Sequence, residues 1–470
     1  MKEIPQVEAR GKKISIKIID QLKSNTTYRF FFGNAISDMH EGNVLENFEF
    51  VFSTGTVIDS LMLSGKVENA FDLKPEKNVL VGLYPALSND SIVYNEKPLY
   101  FTKSGADGFF KFRNLPKEKF RLYAFNDANK NMTYDAGNEL IGYVKNETEP
   151  GNDSLLSLKV FMEDVSKQFL KKAFSPYYGK AIVVYNREQV NEPMAFNPED
   201  ATKICSMFSK NDTCEVFYGK IFDTLKLVIE HEKGIPSDTI IIDIPSKEKF
   251  EKLKTNKKSP FIPDLQQEIA GVFPYFEQPV IQFSEAIDKS SFDTSSVIVF
   301  CKTDSVRKKI AAKPVYKECD KLVYNEKIKE NAEYEIVFNP GAVRAISGLS
   351  NDSAKITFRT GSAEDYSGLT VKLSLPAKEN YIVELLNERD VVVSEQYMEQ
   401  SISSSTDASI KFTYLKPGNY HLKLIEDSNK NKKWDTGSLI LKRSAENIYI
   451  NNTPVKLLSD WDSEIEWKVK

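Results

Sequence analysis

LPKEKFRLYAFNDANKNMTYDAG, residues Leu115 to Gly137, returns near the C-terminus as LKPGNYHLKLIEDSNKNKKWDTG, residues Leu415 to Gly437, without a gap. Asp127, Asn129, Lys130, Asn131, Asp135 and Gly137 stand opposite Asp427, Asn429, Lys430, Asn431, Asp435 and Gly437. Tyr134 faces Trp434, and Phe112 faces Phe412. The same text twice in one chain marks a duplicated structural unit, and it has to be recognised before any fold is assigned.

The repeat extends backwards. Asn25, Tyr28, Phe32, Gly42, Phe52, Thr54 and Gly55 align with Asn331, Tyr334, Phe338, Gly348, Phe358, Thr360 and Gly361; ahead of them Ile16, Ile18, Leu22 and Lys23 align with Leu322, Tyr324, Ile328 and Lys329. The chain therefore reads as a tandem pair of two-module units. In the second unit the matching text follows further strand-like residues, Tyr275 to Val306, whereas the first reaches Met1 opposite Arg307. A sheet without its first strands has open edges, which folded proteins normally cover. The expectation is that the first module is the C-terminal part of a truncated domain and that the natural protein starts upstream, with an export signal.

Short runs of β-branched and aromatic residues, separated by Asn, Asp and Gly clusters, predict strands throughout. Residues 13–19, 27–32 and 47–53 are the first; LMLSGKV, NVLVGLYP, PLYFTKS, GFFKFRNL and KFRLYAFND follow, with a tight turn at Ala106-Asp107-Gly108. The fold class read from this is all-β, tandem antiparallel β-sandwiches strung end to end with little helix. The expected modules are 1–56, 57–163, 164–274, 275–362 and 363–470. The third has no twin: FDTLKLVIEH and SDTIIIDIP read as strands, and Pro198 to Lys210 as a helical turn or surface loop.

Ser64-Gly65-Lys66-Val67, Asp107-Gly108-Phe109-Phe110 and the Leu115-Pro116 to Leu122 strand resemble the transthyretin-like or carboxypeptidase-regulatory-like domain; Glu118 and Lys119 occupy the usual glycine's place, which Gly418 restores in the second copy. Asn331 to Gly361, with its relative Asn25 to Gly55, resembles the bacterial Ig-like domain first described in S-layer proteins. The order of modules is similar to that of Ig-like-domain lipoproteins that Bacteroidota place on the outer membrane. That resemblance implies a lipid-anchored cell-surface protein. The recurrent Asp-Ser/Thr-apolar triplets, such as Asp59-Ser60-Leu61 and Asp304-Ser305-Val306, resemble the O-glycosylation acceptor of exported proteins of that group, and read equally as turn pairs entering strands.

Composition narrows the function. Hydrophobic residues make up 41% of the 470, and 63 Lys and Arg against 67 Asp and Glu leave no basic footprint for nucleic acid. No apolar run approaches the ~20 residues that cross a bilayer. Cys205, Cys214, Cys301 and Cys319 lack Cys-x-x-Cys spacing; they read as buried thiols or as two hairpin-closing pairs. His40, His231 and His421 are scattered, no nucleophile elbow or phosphate loop occurs, and Trp434, Trp461 and Trp467 read as core. The expectation is a non-enzyme with no catalytic or cofactor-binding residues.

One motif carries coordination chemistry. Asp127, Asn129, Asn131 and Asp135, and again Asp427, Asn429, Asn431 and Asp435, set oxygen ligands at alternate positions, the start of a calcium loop. Met132 and Lys432 stand in place of the sharp-turn glycine, and Asn138 and Ser438 in place of a closing bidentate glutamate. Weak calcium binding and a turn bonded to its own backbone are both open readings. The function expected is a structural or docking subunit of an outer-membrane protein complex, joined to the membrane only through a lipid anchor; the alternative is an extracellular binding module for glycan or host protein.

Overall fold

The structure is a computed structural model. It describes residues 5–151 except 34, 39, 46 and 47; 155–164; 169–186 except 178; 194–195; 204–219 except 211; 224–229; 238–244; and 261–469 except 268–270, 378 and 400–406. Strands dominate; the described helix is one turn, Ile92–Asn95, plus three 3-10 turns.

The repeat seen in the text holds at atomic detail in the Ig-like modules. Thr27–Gly33 pairs antiparallel with Phe48–Ser53, and Glu333–Phe338 with Ala354–Arg359; Tyr28 lies opposite Phe52 as Tyr334 lies opposite Phe358. Both ring pairs stack, at 5.5 and 5.3 Å between centroids. The Tyr28 hydroxyl accepts from the Lys23 N–H at 2.7 Å and the Tyr334 hydroxyl from the Lys329 N–H at 2.9 Å. Thr54 Oγ1 donates to the Lys23 carbonyl and Thr360 Oγ1 to the Lys329 carbonyl, each at 2.6 Å. Asn25 and Asn331 take the same left-handed turn, φ 50° and 49°.

The surroundings of the two copies differ. The second is a sandwich of two four-stranded sheets, with Val297–Thr303 along Glu333–Phe338 and Val280–Phe283 in the facing sheet. Its core holds Ile281, Phe283, Val299, Tyr334, Ile336 and Phe358, and also Phe261 and Phe273 from ahead of Tyr275. Among the described residues the first copy has two separate hairpins, Gln6–Arg10 with Lys13–Lys17 and Thr27–Gly33 with Phe48–Ser53. Its Phe50, opposite number of the buried Ile356, is exposed. The other face of this sheet meets the next module, where the Arg29 guanidinium donates to the carbonyls of Phe101 and Arg113.

The two loop-bearing sandwiches share one topology. In each, the first strand lies between an antiparallel neighbour and the parallel last strand: Leu61–Asn69 between Phe109–Leu115 and Leu156–Met162, and Ser367–Ser374 between Asp407–Leu415 and Ser463–Lys468. Leu80–Pro85 pairs with Phe120–Phe125 as Asn380–Asn387 pairs with Gly418–Asp427. In the first copy Leu140–Tyr143 bridges to Leu156–Met162, so seven strands form one curled sheet; the second keeps a three-stranded and a four-stranded sheet apart. At the Asp107-Gly108 turn, Gly108 has φ +77°, and a Cβ there would lie 2.4 Å from the Val67 carbonyl oxygen.

The untwinned region is β-rich. Lys180–Tyr185 and Thr213–Tyr218 form the centre of a four-stranded sheet, and Thr224–Ile229 pairs with Asp238–Asp243. Its core is Val183, Tyr185, Val216, Leu225, Leu227 and Ile242. The helical turn or surface loop expected through Pro198 to Lys210 is corrected: Ile204–Lys210 is a strand, because its hairpin partner Thr213–Tyr218 supplies the ladder. Residues 196–203 lie outside the described ones.

Candidate functional site: the paired loops, the clasp and its cleft

Each Asp/Asn loop leaves the strand Phe120–Phe125 or Gly418–Asp427 and folds by bonding its own side chains to its own backbone. Asp127 Oδ1 accepts from the Met132 N–H at 3.0 Å, Asn129 Oδ1 from Asn131 at 2.9 Å, and Asn131 Oδ1 from Thr133 at 2.7 Å. Both Asn side-chain amides then donate to Asp135 Oδ2. The second loop repeats the scheme: Lys432 N–H to Asp427, Asn431 N–H to Asn429, Lys433 N–H to Asn431, and both amides to Asp435 Oδ2. Lys130, Met132, Lys430 and Lys432 all sit near φ +65°, so side chains other than glycine occupy the sharp-turn conformation.

All eight predicted residues are thus brought together in two groups of four, with their oxygens facing N–H donors. Cation binding as in a calcium loop requires the Asn oxygens, not their NH2 groups, to face Asp135 and Asp435. Among the described residues no three His, Cys, Asp or Glu side chains converge as a metal cluster would. The donor pattern fits the self-bonded turn, and calcium at these loops is a proposal for chelation to test.

Sequence reasoning missed the residue that braces each loop. Glu139, buried, accepts from the Ala128 N–H at 2.6 Å and the Asp135 N–H at 3.2 Å. The aligned position in the second copy is Leu439, and the brace there comes from Glu446, which accepts from Ser428 at 2.8 Å and Asp435 at 3.0 Å. Burial raises the Glu446 carboxyl above its ordinary value despite those two donors, with the Asp435 and Asp427 charges adding to the rise. The signal was a Glu one place past the position tested in copy one; in copy two the segment Ser438 to Ala445 displaces it.

That displacement frees Leu439, and it enters the other sandwich. Leu439 is 2% exposed and packs with Tyr134, Ile141 and Phe161 of the first copy. Glu163, itself buried, ties the junction: it accepts from the Leu439 N–H at 2.6 Å and from the Tyr134 hydroxyl at 2.9 Å. Thr436 Oγ1 donates to the Met162 carbonyl at 2.6 Å, and Lys442 pairs with Asp90 at 2.8 Å. A Cβ on Gly437 would lie 2.3 Å from the Phe161 ring, so the conserved spelling of both loops, Asp-x-Gly, here serves a close approach between domains.

The first copy reaches back. Its Phe71 meets Trp434 edge-on at 5.0 Å and lies under the Lys423 ammonium at 3.6 Å, while Leu73, at φ +56°, packs on Ile382, Ile425 and Ile448. Lys423 is nearly buried, 3.5 Å from Glu384, and burial lowers it from its ordinary value. The duplicated sandwiches therefore clasp one another, which corrects the end-to-end string expected from the sequence. Linear text carries no distance between residues hundreds of positions apart.

Beside the clasp lies a cleft of about 920 Å³, walled by Phe71 to Pro75 and floored by the outer face of the four-stranded sheet. His421 lines it, with Nε2 3.1 Å from Asp390 Oδ1; His231 lies outside the described residues. Cys214, Cys301 and Cys319 are buried thiols. The Trp expectation holds for Trp467 alone: Trp461 is 66% exposed, and Trp434 is half-buried at the clasp, where its indole N–H donates to the Glu446 carbonyl. In the described Asp-Ser/Thr triplets, Ser60, Ser91, Thr224, Thr239, Ser305 and Ser353 are all exposed; Ser91 and Ser305 lie in turns, while Thr224 and Thr239 lie in strands.

Residues 2–54 match the family model of the bacterial Ig-like domain. No curated protein matches the chain. Solved structures with similar β-domains include the major pilin subunit BcpA of Bacillus cereus, 8% identical, covering 87% of this chain and 99% of that one at a TM-score of 0.15. The Bacillus anthracis TIE protein is 10% identical over 91% of this chain and 54% of that one, TM-score 0.16. Dimeric latent PorU from Porphyromonas gingivalis is 9% identical over 75% and 45%, TM-score 0.20. The chain is a tandem of antiparallel β-sheet domains, with the bacterial Ig-like match confined to residues 2–54; β-sandwich folds of this kind are generally non-catalytic. No described helix is long and apolar enough to cross a membrane.

Proposed function

We propose that this chain is a structural and docking subunit at a bacterial cell surface, attached through a lipid anchor and working within an outer-membrane protein assembly. One observation carries the reading: Leu439, Glu163 and Phe71 lock the two duplicated sandwiches into a reciprocal clasp. A clasp of this kind turns sandwiches that would otherwise swing on their linkers into a fixed frame, which is what a scaffold needs to present loops and sheet edges to partners. The likeness of module order to surface lipoproteins supports the location.

The test is a pull-down from detergent-solubilised outer membranes of the source organism, with a tag near Lys470. Recovery of integral outer-membrane proteins is expected. Retention on a glycan array with no co-purifying protein would instead favour a free-standing binding module.

A further inference from the structure

We propose that the cleft beside the clasp is where the docking partner inserts an extended segment bearing basic side chains between apolar ones. The inference rests on the docking reading and names the chemistry of its contact. The cleft's size, about 920 Å³, and its place between two sandwiches are typical of a ligand site. Leu386, Val392 and Ile450 give its floor an apolar surface suited to alternate side chains of an extended chain.

Charge selects the partner. Four carboxylates line the cleft, Asp72, Glu384, Glu388 and Asp390, against two ammonium groups, Lys74 and Lys423, so carboxylates outnumber ammonium groups by two. Lys423 is taken up by Glu384 and by the Phe71 ring. Lys74 is shared, 3.4 Å from Asp72 and 3.6 Å from Asp390. Glu388 accepts from the neutral Asn419 side-chain amide. A lysine or arginine arriving at the Glu388 and Asp390 rim supplies the missing charge, and both carboxylates are exposed to receive it. An anionic partner meets repulsion there.

The probe is a fluorescein-labelled Val-Lys-Val-Lys-Val-Lys-Val peptide, titrated with the intact chain by fluorescence anisotropy. Binding is expected to weaken about fivefold on raising salt from about 0.05 to 0.3 M, since rim charges are screened. The double variant Glu388→Gln, Asp390→Asn is expected to weaken it by about five- to tenfold with the melting curve unchanged. Equal binding of the Val-Glu counterpart, or no effect of the double variant, overturns the proposal. So does a membrane pull-down in which the double variant recovers the same partners as the wild type; the docking reading then survives with its contact elsewhere.

Discussion

Replacing Leu439 by Ala tests the clasp directly, because the residue belongs by sequence to the second loop-bearing sandwich and by packing to the first. A leucine this enclosed loses about 2–5 kcal/mol on truncation, the transfer of the lost methyls plus the cavity left among Tyr134, Ile141 and Phe161. Taking about 3 kcal/mol, the opening equilibrium of the first sandwich's outer layer shifts by about 150-fold. Its neighbours Ile440 and Leu441, 72% and 71% exposed, serve as internal controls of the same chemistry; truncating either is expected to change stability by less than about 0.5 kcal/mol. The assay is amide hydrogen exchange read at Tyr134, Ile141 and Phe161, since a chain of several domains has no single unfolding free energy. Faster exchange there, hundreds of residues from the substitution, is the expected result. If Leu439→Ala behaves like Ile440→Ala, or if the lost protection is confined to the second sandwich, the clasp as described is wrong.

Three further outcomes follow from named groups. Gly437→Ala is expected to loosen the same junction, by about 1–3 kcal/mol of overpacking against Phe161, visible as a new proteolytic site between the sandwiches. Asp320 is buried, its Oδ1 has no hydrogen-bond partner among the described residues, and burial raises its carboxyl above the ordinary value. A raised acid keeps its proton longer in the folded state, so stability falls as pH rises from the ordinary carboxylate value through the folded one. Asp320→Asn should therefore stabilise the chain by about 1 kcal/mol at neutral pH, and the gain should vanish near pH 3 in melting curves. Because every loop oxygen named above already faces a donor, millimolar calcium against chelator is expected to move the melting temperature by less than about 1 °C; a shift of several degrees, lost in Asp135→Asn with Asp435→Asn, would establish calcium at these loops.

The repeat was legible because duplicated folds conserve the residues that local geometry demands. Tyr28 and Tyr334, Thr54 and Thr360, Asn25 and Asn331 each make a bond or a left-handed turn within a few residues or one hairpin, and those needs are written in neighbouring letters. The alternation of apolar residues likewise fixed the strands, and the Asp, Asn and Gly spellings fixed the turns. In each loop the four side chains named from the spacing lie together, yet spacing alone leaves open whether their oxygens face a cation or backbone N–H groups.

What the tertiary structure decided was the use of positions where the copies disagree. Glu139 braces its loop, whereas Leu439 in the same place abandons that task to Glu446 and crosses to the other sandwich. Alignment shows such a mismatch only as divergence, since the reason for it lies in a surface brought near by folding. Glu163 just past a strand, Phe71 in a turn and Lys423 within a strand acquire their roles only when two domains meet. Sequence by itself settled the local geometry, which short-range bonding dictates; the clasp and its cleft depend on long-range burial, which only the folded chain specifies.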